Sequence, residues 1–335
     1  MKKRGSREII RRMRMMSGLG ILALAVAPLG YSTASQQGPR EQHEQPEFIQ
    51  QGRQLMLEGK LPEALTLYQQ TLQSSPDSRP ANLAAGSVLD LMGKGEEARK
   101  YFQKAIDTAD TGEHKAMAER AVAMSYAFEG NCGKTIEYEQ RVFDYFAGVK
   151  NFYQQGEIAD EAARVCLDAS GLNGRAPRDD IGAAQGWYEM GHSVGLREPD
   201  IKPARVDLWN FRWESAQARI ATRQGDRTQA EKHAAAAKAI LERGTNPEQA
   251  PFLPYLLGYV AFYGGEYKTA LDELLKANQN DPFVQCLLGQ TYEKLGEKEK
   301  AMEYYRKAAG AISHNPPAAY AVPYSKSRLS ALGAG

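Results

Sequence analysis

The sequence predicts an all-α fold, an α-solenoid (superhelix) of about seven antiparallel helix pairs. The main observation is a spacing that recurs five times in the 335-residue chain, with a small residue at position i and an alanine at i+12. Another mostly small residue follows each alanine at i+19. The first two copies are offset by about 34 residues, and a fixed period of this length is typical of helical-repeat arrays. The five pairs are Gly52 and Ala64, Gly86 and Ala98, Ala218 and Ala230, Gly258 and Ala270, and Gly289 and Ala301.

A second observation is a glycine in the expected turn between the two helices of each pair. Helices commonly end at a residue in the left-handed conformation, which glycine adopts without strain. Small residues within the helices allow close packing, and arrays built in this way present extended binding surfaces. The turn glycines are Gly59, Gly93, Gly130, Gly225, Gly265 and Gly296.

The motifs resemble the tetratricopeptide repeat family, which implies an all-α solenoid but no particular function, because the scaffold is reused for unrelated partners. One matching set is Gln51-Gly52, Leu55, Gly59, Ala64, Tyr68 and Pro76, and a closer one is Leu288-Gly289, Tyr292, Gly296, Ala301, Tyr305 and Ala308. A further helix pair at 150–198 departs most from the pattern. Good repeats lie at 45–78, 79–112, 211–244, 251–281 and 282–315, and a weaker one at 116–149.

Residues 1–34 have the pattern of a secretory signal peptide. Seven basic residues and one acid, Glu8, precede an apolar run from Gly18 to Leu29, and Ser32-Thr33-Ala34 is a small-x-small cleavage site. The apolar run is shorter than the roughly 20 residues of a transmembrane helix. We therefore expect export across a bacterial inner membrane, cleavage after Ala34 and a periplasmic or secreted mature protein. The alternative is an uncleaved N-terminal segment that anchors the chain in the inner membrane.

The rest of the chain divides into four segments. Residues 35–46 are polar and rich in glutamine, which predicts a flexible linker. Tetratricopeptide-like repeats follow at 47–198, where the last pair is degenerate, and at 199–315, after a proline-containing stretch that predicts a bend or a division into two lobes. Residues 316–335 are expected to form a C-terminal cap and tail, with a short amphipathic stretch from Pro323 over the apolar end of the array.

The charge of the chain differs between its leader and the rest. The whole chain has 42 Lys and Arg residues and 41 Asp and Glu residues. Removal of residues 1–34, with seven bases and one acid, leaves 35 basic and 40 acidic residues, a net charge of −5. Nucleic-acid-binding proteins usually carry an excess of clustered Lys and Arg. We therefore expect no nucleic-acid partner, and membrane contact only through the leader if it is uncleaved.

Two of the three cysteines are candidates for a disulfide. Cys132 lies in a predicted turn and Cys166 near the end of the next predicted helix, and these regions can be neighbours in a stacked array. In an oxidising compartment the bridge would close a loop of about 34 residues. Two unpaired thiols are the alternative. Cys286, beside Leu287 and Leu288, is predicted to be a small core residue.

The sequence contains no pattern of an active site. Gly130 to Thr135 resembles the end of a phosphate-binding loop, but Phe128 stands where that motif has its first glycine, and the preceding residues predict a helix instead of a strand. The five histidines are scattered, and no Cys-x-x-Cys or His-Glu-x-x-His motif occurs. We therefore expect no enzymatic activity, no catalytic residues, no metal and no cofactor.

The remaining candidate site is the concave surface, which the first helix of each pair lines in the tetratricopeptide repeat family. The repeat frame places arginines of one repeat beside aromatic residues of the next, a surface suited to an extended peptide with acidic groups. The alternative is that the aromatic residues pack between repeats and the arginines are solvated. The predicted partner-binding residues are Arg212, Arg219, Arg223, Tyr255, Tyr259 and Phe262.

Two hypotheses for function follow. The first is a non-catalytic scaffold or adaptor of the bacterial cell envelope that binds a partner protein or peptide in the concave groove. The second is a periplasmic carrier of a non-protein ligand, such as a glycan or polymer segment held along aromatic residues. The predicted aromatic residues cluster in one repeat instead of following the groove, which favours the first hypothesis.

Overall fold

The computed structural model describes residues 46–169 and 178–333, which belong to one compact unit spanning Gln45–Gly335. The predicted signal peptide and all but the last residue of the predicted linker lie outside the described residues. The described part contains 15 α-helices, a short 3-10 helix at Pro247–Gln249 and no strand. The helices are α1 (Glu47–Leu57), α2 (Leu61–Ser74), α3 (Arg79–Leu91), α4 (Gly95–Asp107), α5 (Gly112–Phe128), α6 (Cys132–Gly148), α7 (Phe152–Asp168), α8 (Arg178–Gly195), α9 (Pro203–Gln224), α10 (Arg227–Leu241), α11 (Phe252–Tyr263), α12 (Tyr267–Leu274), α13 (Pro282–Lys294), α14 (Lys298–Ala309) and α15 (Pro316–Ala331).

Consecutive helices pack as seven antiparallel pairs, from α1 with α2 to α13 with α14, and α15 follows them. The second helix of each pair also packs against the first helix of the next pair, as in a solenoid. The prediction of an all-α solenoid of about seven pairs is therefore confirmed. None of the described helices has the length and apolarity that a membrane crossing requires.

The predicted turn glycines end the first helices of six pairs. All six have positive φ angles, between 67° and 81°, in the left-handed region. Gly225, for example, caps α9, and the next residue's backbone N–H, that of Asp226, bonds back to Ala221 O at 2.9 Å. The left-handed residue lets the chain reverse at once into the second helix, as predicted.

The small residues on the first helices permit close approach of the second helices. Gly52 lies directly under the ring of Tyr68, and Gly86 under the ring of Phe102, so that a Cβ atom at either glycine would overlap the ring. The same relation holds for Gly258 with Leu274 and for Gly289 with Tyr305. In each case the large side chain lies one helical turn beyond the alanine of the motif, on the second helix of the pair. The repeating motif is thus a glycine and a bulky residue that fit together across each pair.

Two helices begin earlier than the sequence pattern indicates. α9 begins at Pro203, two turns before the predicted repeat at 211–244, because Leu208 and Trp209 are also buried. α15 begins at Pro316 instead of near Pro323, which lies inside the helix. Prolines are tolerated in a first helical turn, whose N–H groups have no helical partner, and Asn315 accepts a hydrogen bond from Ala318 N at 3.1 Å.

A disulfide joins two neighbouring helices of the array. Cys132, the first residue of α6, is bonded to Cys166, near the end of α7. The third cysteine, Cys286 on α13, is a free thiol buried in the hydrophobic core. The bridge therefore ties the start of α6 to the end of α7, two residues before Asp168.

Candidate functional site

A buried carboxylate lies at the centre of a polar cluster between α7, α8, α9 and α11. Asp168, the last residue of α7, accepts a hydrogen bond from Tyr259 Oη at Oδ1, at 2.9 Å. Arg219 Nη1 lies 3.7 Å from Asp168 Oδ2, and Arg223 Nη1 lies 3.9 Å from Oδ1. We call this group the Asp168 cluster. Its members are Arg164, Asp168, Tyr188, Arg219, Arg223, Tyr255, Tyr259 and Tyr263.

Arg164 approaches the same carboxylate from one turn earlier on α7. Its Nε lies 3.8 Å from Asp168 Oδ2. Its guanidinium also faces two aromatic rings, with the carbon 5.7 Å from the ring centre of Tyr255 and 5.5 Å from that of Phe283. The negative face of an aromatic ring attracts a cation at these distances. The side chain thus connects α7 to α11 and α13.

The two arginines of α9 have tyrosine partners. Arg219 Nη2 donates to Tyr188 Oη at 2.6 Å, and its guanidinium lies 5.3 Å from that ring centre. Arg223 Nη1 donates to Tyr259 Oη at 3.3 Å, and its guanidinium lies 4.7 Å from the ring centre of Tyr263. Each arginine is therefore oriented by one phenol and one ring face.

The tyrosines remain hydrogen-bond donors at neutral pH. Burial raises the pKa of Tyr259 well above its ordinary value, and the adjacent carboxylate of Asp168 raises it further. Burial also raises the pKa of Tyr255 to about 12. The hydroxyl oxygen of Tyr255 is buried and has no hydrogen-bond partner within the described residues. The cluster therefore contains more hydrogen-bond donors than those that bond to its single carboxylate, Asp168.

Access to the cluster is limited to its margin. Tyr259 is fully buried, whereas the side chains of Arg164 and Arg223 each keep 11% of their surface exposed. Arg219 and Arg223 share Asp168 as a carboxylate partner, so positive charge exceeds negative charge between these three residues. A further acidic group at the exposed margin would be attracted to Arg223.

Two of the six predicted residues are not members of the cluster. Arg212 is hydrogen-bonded to Glu157 and lies 3.6 Å from Asp160 Oδ2, both on α7. Burial raises the pKa of Asp160 to about 7, and Arg212 partly offsets this rise. Phe262 belongs to the hydrophobic core, where its ring centre lies 5.0 Å from that of Tyr263, a member of the cluster, and 5.8 Å from that of Tyr267.

The structure brings the other four predicted residues together. Arg219, Arg223, Tyr255 and Tyr259 all belong to the Asp168 cluster, and their present partners are within the chain. Their predicted role in partner binding stays a prediction.

Sequence reasoning missed the members that come from the degenerate pair. Arg164, Asp168 and Tyr188 lie in 150–198, where the repeat frame could not assign inward-facing positions. The four-residue spacing of Arg164 and Asp168 on one predicted helix was the available signal, because residues at that spacing share a helix face.

The side chains of the cluster supply hydrogen-bond donors and positive charge. Guanidinium and phenol groups donate hydrogen bonds, and a carboxylate is the acceptor that arginine pairs with best. In the part of the chain that the structure describes, no three His, Cys, Asp or Glu side chains are grouped so as to hold a metal ion. The arrangement therefore suits an acidic group of a ligand.

Comparison with known families identifies tetratricopeptide repeats in this chain. Sequence models described as "Tetratricopeptide repeat" match residues 55–120 and residues 284–315. These ranges cover α2 to the first part of α5 and nearly all of α13 and α14. The two matches confirm the repeats expected near the beginning and the end of the array.

One curated relative matches part of the chain. The human protein O-mannosyl-transferase TMTC2 is 40% identical over 81 residues, which is 24% of this chain and 10% of the relative. The match thus spans about a tenth of the length of that protein.

Solved structures show similar helical arrays at low identity. A tetratricopeptide repeat protein from Parabacteroides merdae is 13% identical, with 84% of this chain and 98% of that chain covered and a TM-score of 0.45. Human IFIT1, solved as a dimer with m7Gppp-AAAA, is 17% identical, with 78% and 62% covered and a TM-score of 0.38.

Proposed function

We propose that this chain, which carries tetratricopeptide repeats at 55–120 and 284–315, is a non-catalytic scaffold of the bacterial cell envelope. Arrays of such repeats generally serve as protein-interaction scaffolds. In this proposal the partner is a protein or peptide that places an acidic group against the exposed margin of the Asp168 cluster. The net charge of −5 expected after removal of 1–34 supports a protein partner over nucleic acid.

The observation that carries the proposal is the arrangement of Arg219 and Arg223 around one carboxylate. Both guanidinium groups lie within 4 Å of Asp168, and tyrosines hold them in place. Such preorganised arginines lose little side-chain entropy when they bind a second carboxylate. The aromatic rings of the cluster pack on one another instead of following a groove, which gives less support to the alternative, a carrier of a glycan or polymer segment.

The envelope location rests on two features. Residues 1–34 have the signal-peptide pattern, and the Cys132–Cys166 disulfide belongs to the class of bond that persists in oxidising compartments. Cell fractionation followed by N-terminal sequencing tests this part. We expect a periplasmic or secreted protein that begins after Ala34. An intact N-terminus in the membrane fraction would indicate the anchored alternative, and a cytosolic protein would contradict export.

Cross-linking in living cells and affinity purification test the partner site. We compare the wild-type protein with Arg223→Gln, which removes one charge from the margin of the cluster. Arg227→Gln is the matched control, because Arg227 is an exposed arginine on the next helix that pairs with Glu231 at 2.6 Å. We expect the wild-type protein to recover one recurrent envelope protein and R223Q to recover about tenfold less of it. A tenfold loss of affinity corresponds to the loss of one charge-assisted contact worth about 1.4 kcal/mol.

The control variant should recover the same protein as the wild type. Equal recovery with R223Q and R227Q would exclude the Asp168 cluster as the binding site. A purification that returns only the protein itself would favour a non-protein ligand and lead to a glycan and polymer binding screen.

A further inference from the structure

The hydroxyl group of Tyr255 is a buried donor without an acceptor. Its oxygen is enclosed and has no hydrogen-bond partner among the residues that the structure describes, although the residue as a whole is only partly buried. Burial raises the pKa of Tyr255 to about 12, so the hydroxyl keeps its proton at neutral pH. A buried polar group without a partner destabilises the fold, and it therefore indicates an acceptor that the chain itself does not supply.

Arg219 lies beside this hydroxyl and also has an unused donor. Its Nε and Nη2 bond within the chain, and Nη2 donates to Tyr188 Oη at 2.6 Å. Its third nitrogen, Nη1, lies 3.7 Å from Asp168 Oδ2, which is beyond hydrogen-bond distance. The charges of Arg164 and Arg219 partly offset the rise in the pKa of Tyr255 that burial causes. Arg219 and Tyr255 are therefore close enough to act on one ligand group.

The side chains around this pair carry more positive than negative charge. Arg219 and Arg223 share the carboxylate of Asp168. Two other acids act on the cluster, Asp160 and Asp281. They are engaged by Arg212 and by the N–H groups that begin α13. A buried guanidinium without a full counter-charge is unfavourable, so an anionic ligand would stabilise this arrangement.

A carboxylate fits these two donors better than a neutral group does. One carboxylate oxygen can accept from Arg219 Nη1 and the other from the Tyr255 hydroxyl, while the charge balances the excess of the arginines. A carboxamide has the same shape but no charge and only one acceptor oxygen. The chemistry of the pair therefore discriminates between these two groups.

α15 limits how much of a ligand can reach this pair. It packs against α5, α7 and α13, first helices of their pairs, and the ring of Tyr320 lies 5.1 Å from that of Phe283. Polar contacts attach the region of α15 to other helices: His314 to Asp90, Lys326 to the carbonyl oxygen of Leu91, and Arg328 to Glu293. The inner side of the array is thus occupied by the chain itself, and a partner meets the Asp168 cluster at its margin.

We propose that Tyr255 is the specificity-determining residue of the partner site and that, together with Arg219, it binds a single carboxylate group. The group enters at the margin beside Arg223, and because Tyr255 is partly exposed, side-chain movement alone admits it to the hydroxyl. This inference rests on the proposed function and specifies the acidic group of the partner as one carboxylate in place of an extended acidic segment.

Tyr255→Phe tests whether the fold itself uses the hydroxyl. Removal of an unsatisfied buried hydroxyl should raise the melting temperature of the full-length protein by about 1–2 °C. Tyr188→Phe is the matched control, because Tyr188 Oη accepts a hydrogen bond from Arg219 and its loss should lower the melting temperature. A lower melting temperature for Y255F would show that the hydroxyl has a structural partner, such as a buried water, and would overturn the proposal.

Acetate and acetamide test the binding chemistry without the cellular partner. At equal ionic strength and neutral pH, about 100 mM acetate should raise the melting temperature of the wild-type protein by about 2 °C, as a ligand at roughly ten times its dissociation constant does. Acetamide should have no such effect, and Y255F should not respond to acetate. Equal responses to the two compounds, equal acetate responses of Y255F and wild type, or no acetate response of wild type would each overturn the proposal.

The cross-linking assay gives a second measurement. Y255F should recover about tenfold less of the recurrent protein than wild type, which is the loss of one hydrogen bond to a charged group. Tyr304→Phe, on α14 outside the cluster, is the control and should recover the same amount as wild type. Full recovery with Y255F but loss with R223Q would overturn the role of Tyr255 and leave the proposed function standing. An acetate response that depends on Tyr255, without any recurrent partner, would support the carboxylate site and contradict the scaffold.

Discussion

Glu139, on α6, is a buried carboxyl group whose surroundings favour its neutral, protonated form. It is fully buried, and neither carboxyl oxygen has a hydrogen-bond partner among the residues described. Burial raises the pKa of Glu139 well above its ordinary value, and Glu161 raises it further, whereas Arg120 lowers it. Arg120 is already bonded to Glu161, with Nε 2.8 Å from Oε2. Glu139 is therefore protonated in the folded protein at pH values where the unfolded chain carries its charge.

We expect Glu139→Gln to become more stable relative to wild type as pH rises. The folded-state pKa of Glu139 lies above the unfolded one, so wild type loses stability as pH increases between the two values, and the neutral amide does not. Urea unfolding from pH 4 to pH 8 should show the difference in unfolding free energy growing by up to about 1.4 kcal/mol per pH unit.

Glu137→Gln, two residues away on the same helix, is the control for this titration. Glu137 is exposed, and its hydrogen bond to Lys134 lowers its pKa, so its difference from wild type should not rise with pH. A difference between E139Q and wild type that stays constant over this pH range would show that Glu139 is ionised in the folded state.

At the scale of helices, the degenerate pair is organised around one indole ring. Trp209 of α9 is almost completely buried, and its ring lies directly against Gly156 of α7 and Gly195 of α8. A Cβ atom at either glycine would overlap the ring. Three helices therefore meet at one tryptophan here. In each regular pair, by contrast, one bulky residue packs against one small residue.

Gly156→Ala should destabilise the protein by about 1–3 kcal/mol, because the added methyl group forces the indole or α7 to move. Gly186→Ala is the control. Gly186 lies at an exposed position in the middle of α8, and a new Cβ atom there would have no atom within 4 Å. This change should stabilise the protein by about 0.5–1 kcal/mol. Thermal unfolding compares the two variants. A melting temperature for G156A equal to that of G186A would show that the contact with Trp209 is not tight.

The disulfide is a second property at the scale of helices. It joins residues 34 apart, and the loop-entropy estimate for such a loop is roughly 4 kcal/mol. We expect Cys132→Ala/Cys166→Ala to lower the free energy of unfolding by about that amount. Reductant should lower the melting temperature of the wild-type protein and leave that of the variant unchanged. An equal response of both proteins to reductant would show that the bridge does not form in solution.

At the scale of the whole described unit, α15 connects the last repeats to the early ones. The contact of His314 with Asp90 spans 224 residues, whereas repeat arrays usually have contacts only between neighbours. An open array unfolds progressively from its ends, but a link across the array couples distant repeats. The repeats of the described unit should therefore unfold together in one cooperative transition.

Urea unfolding should follow one transition by circular dichroism, which reports all helices, and by tryptophan fluorescence, which reports the middle repeats that contain Trp187, Trp209 and Trp213. In His314→Ala/Lys326→Ala the transitions should broaden and separate. Separate transitions in the wild-type protein would contradict the coupling.

The sequence predicted those features that depend on local spacing. The helix pairs, the left-handed turn glycines and the grouping of Arg219, Arg223 and Tyr259 all follow from the repeat frame. Asp168 was missed because its bond to Tyr259 joins residues 91 apart, one of them in the pair that lacks the frame. The position of α15 was missed for the same reason, since no period relates Tyr320 to α5 or α7.

The long-range contact of α15 also restricts how the chain can vary in length. An open solenoid gains or loses a whole helix pair with little effect on the remaining ones, because each repeat touches only its neighbours. Here an added or deleted pair between α5 and α13 would move His314 and Lys326 away from Asp90 and Leu91. We therefore expect functional variants of this chain to differ in their loops and to keep the number of helix pairs constant.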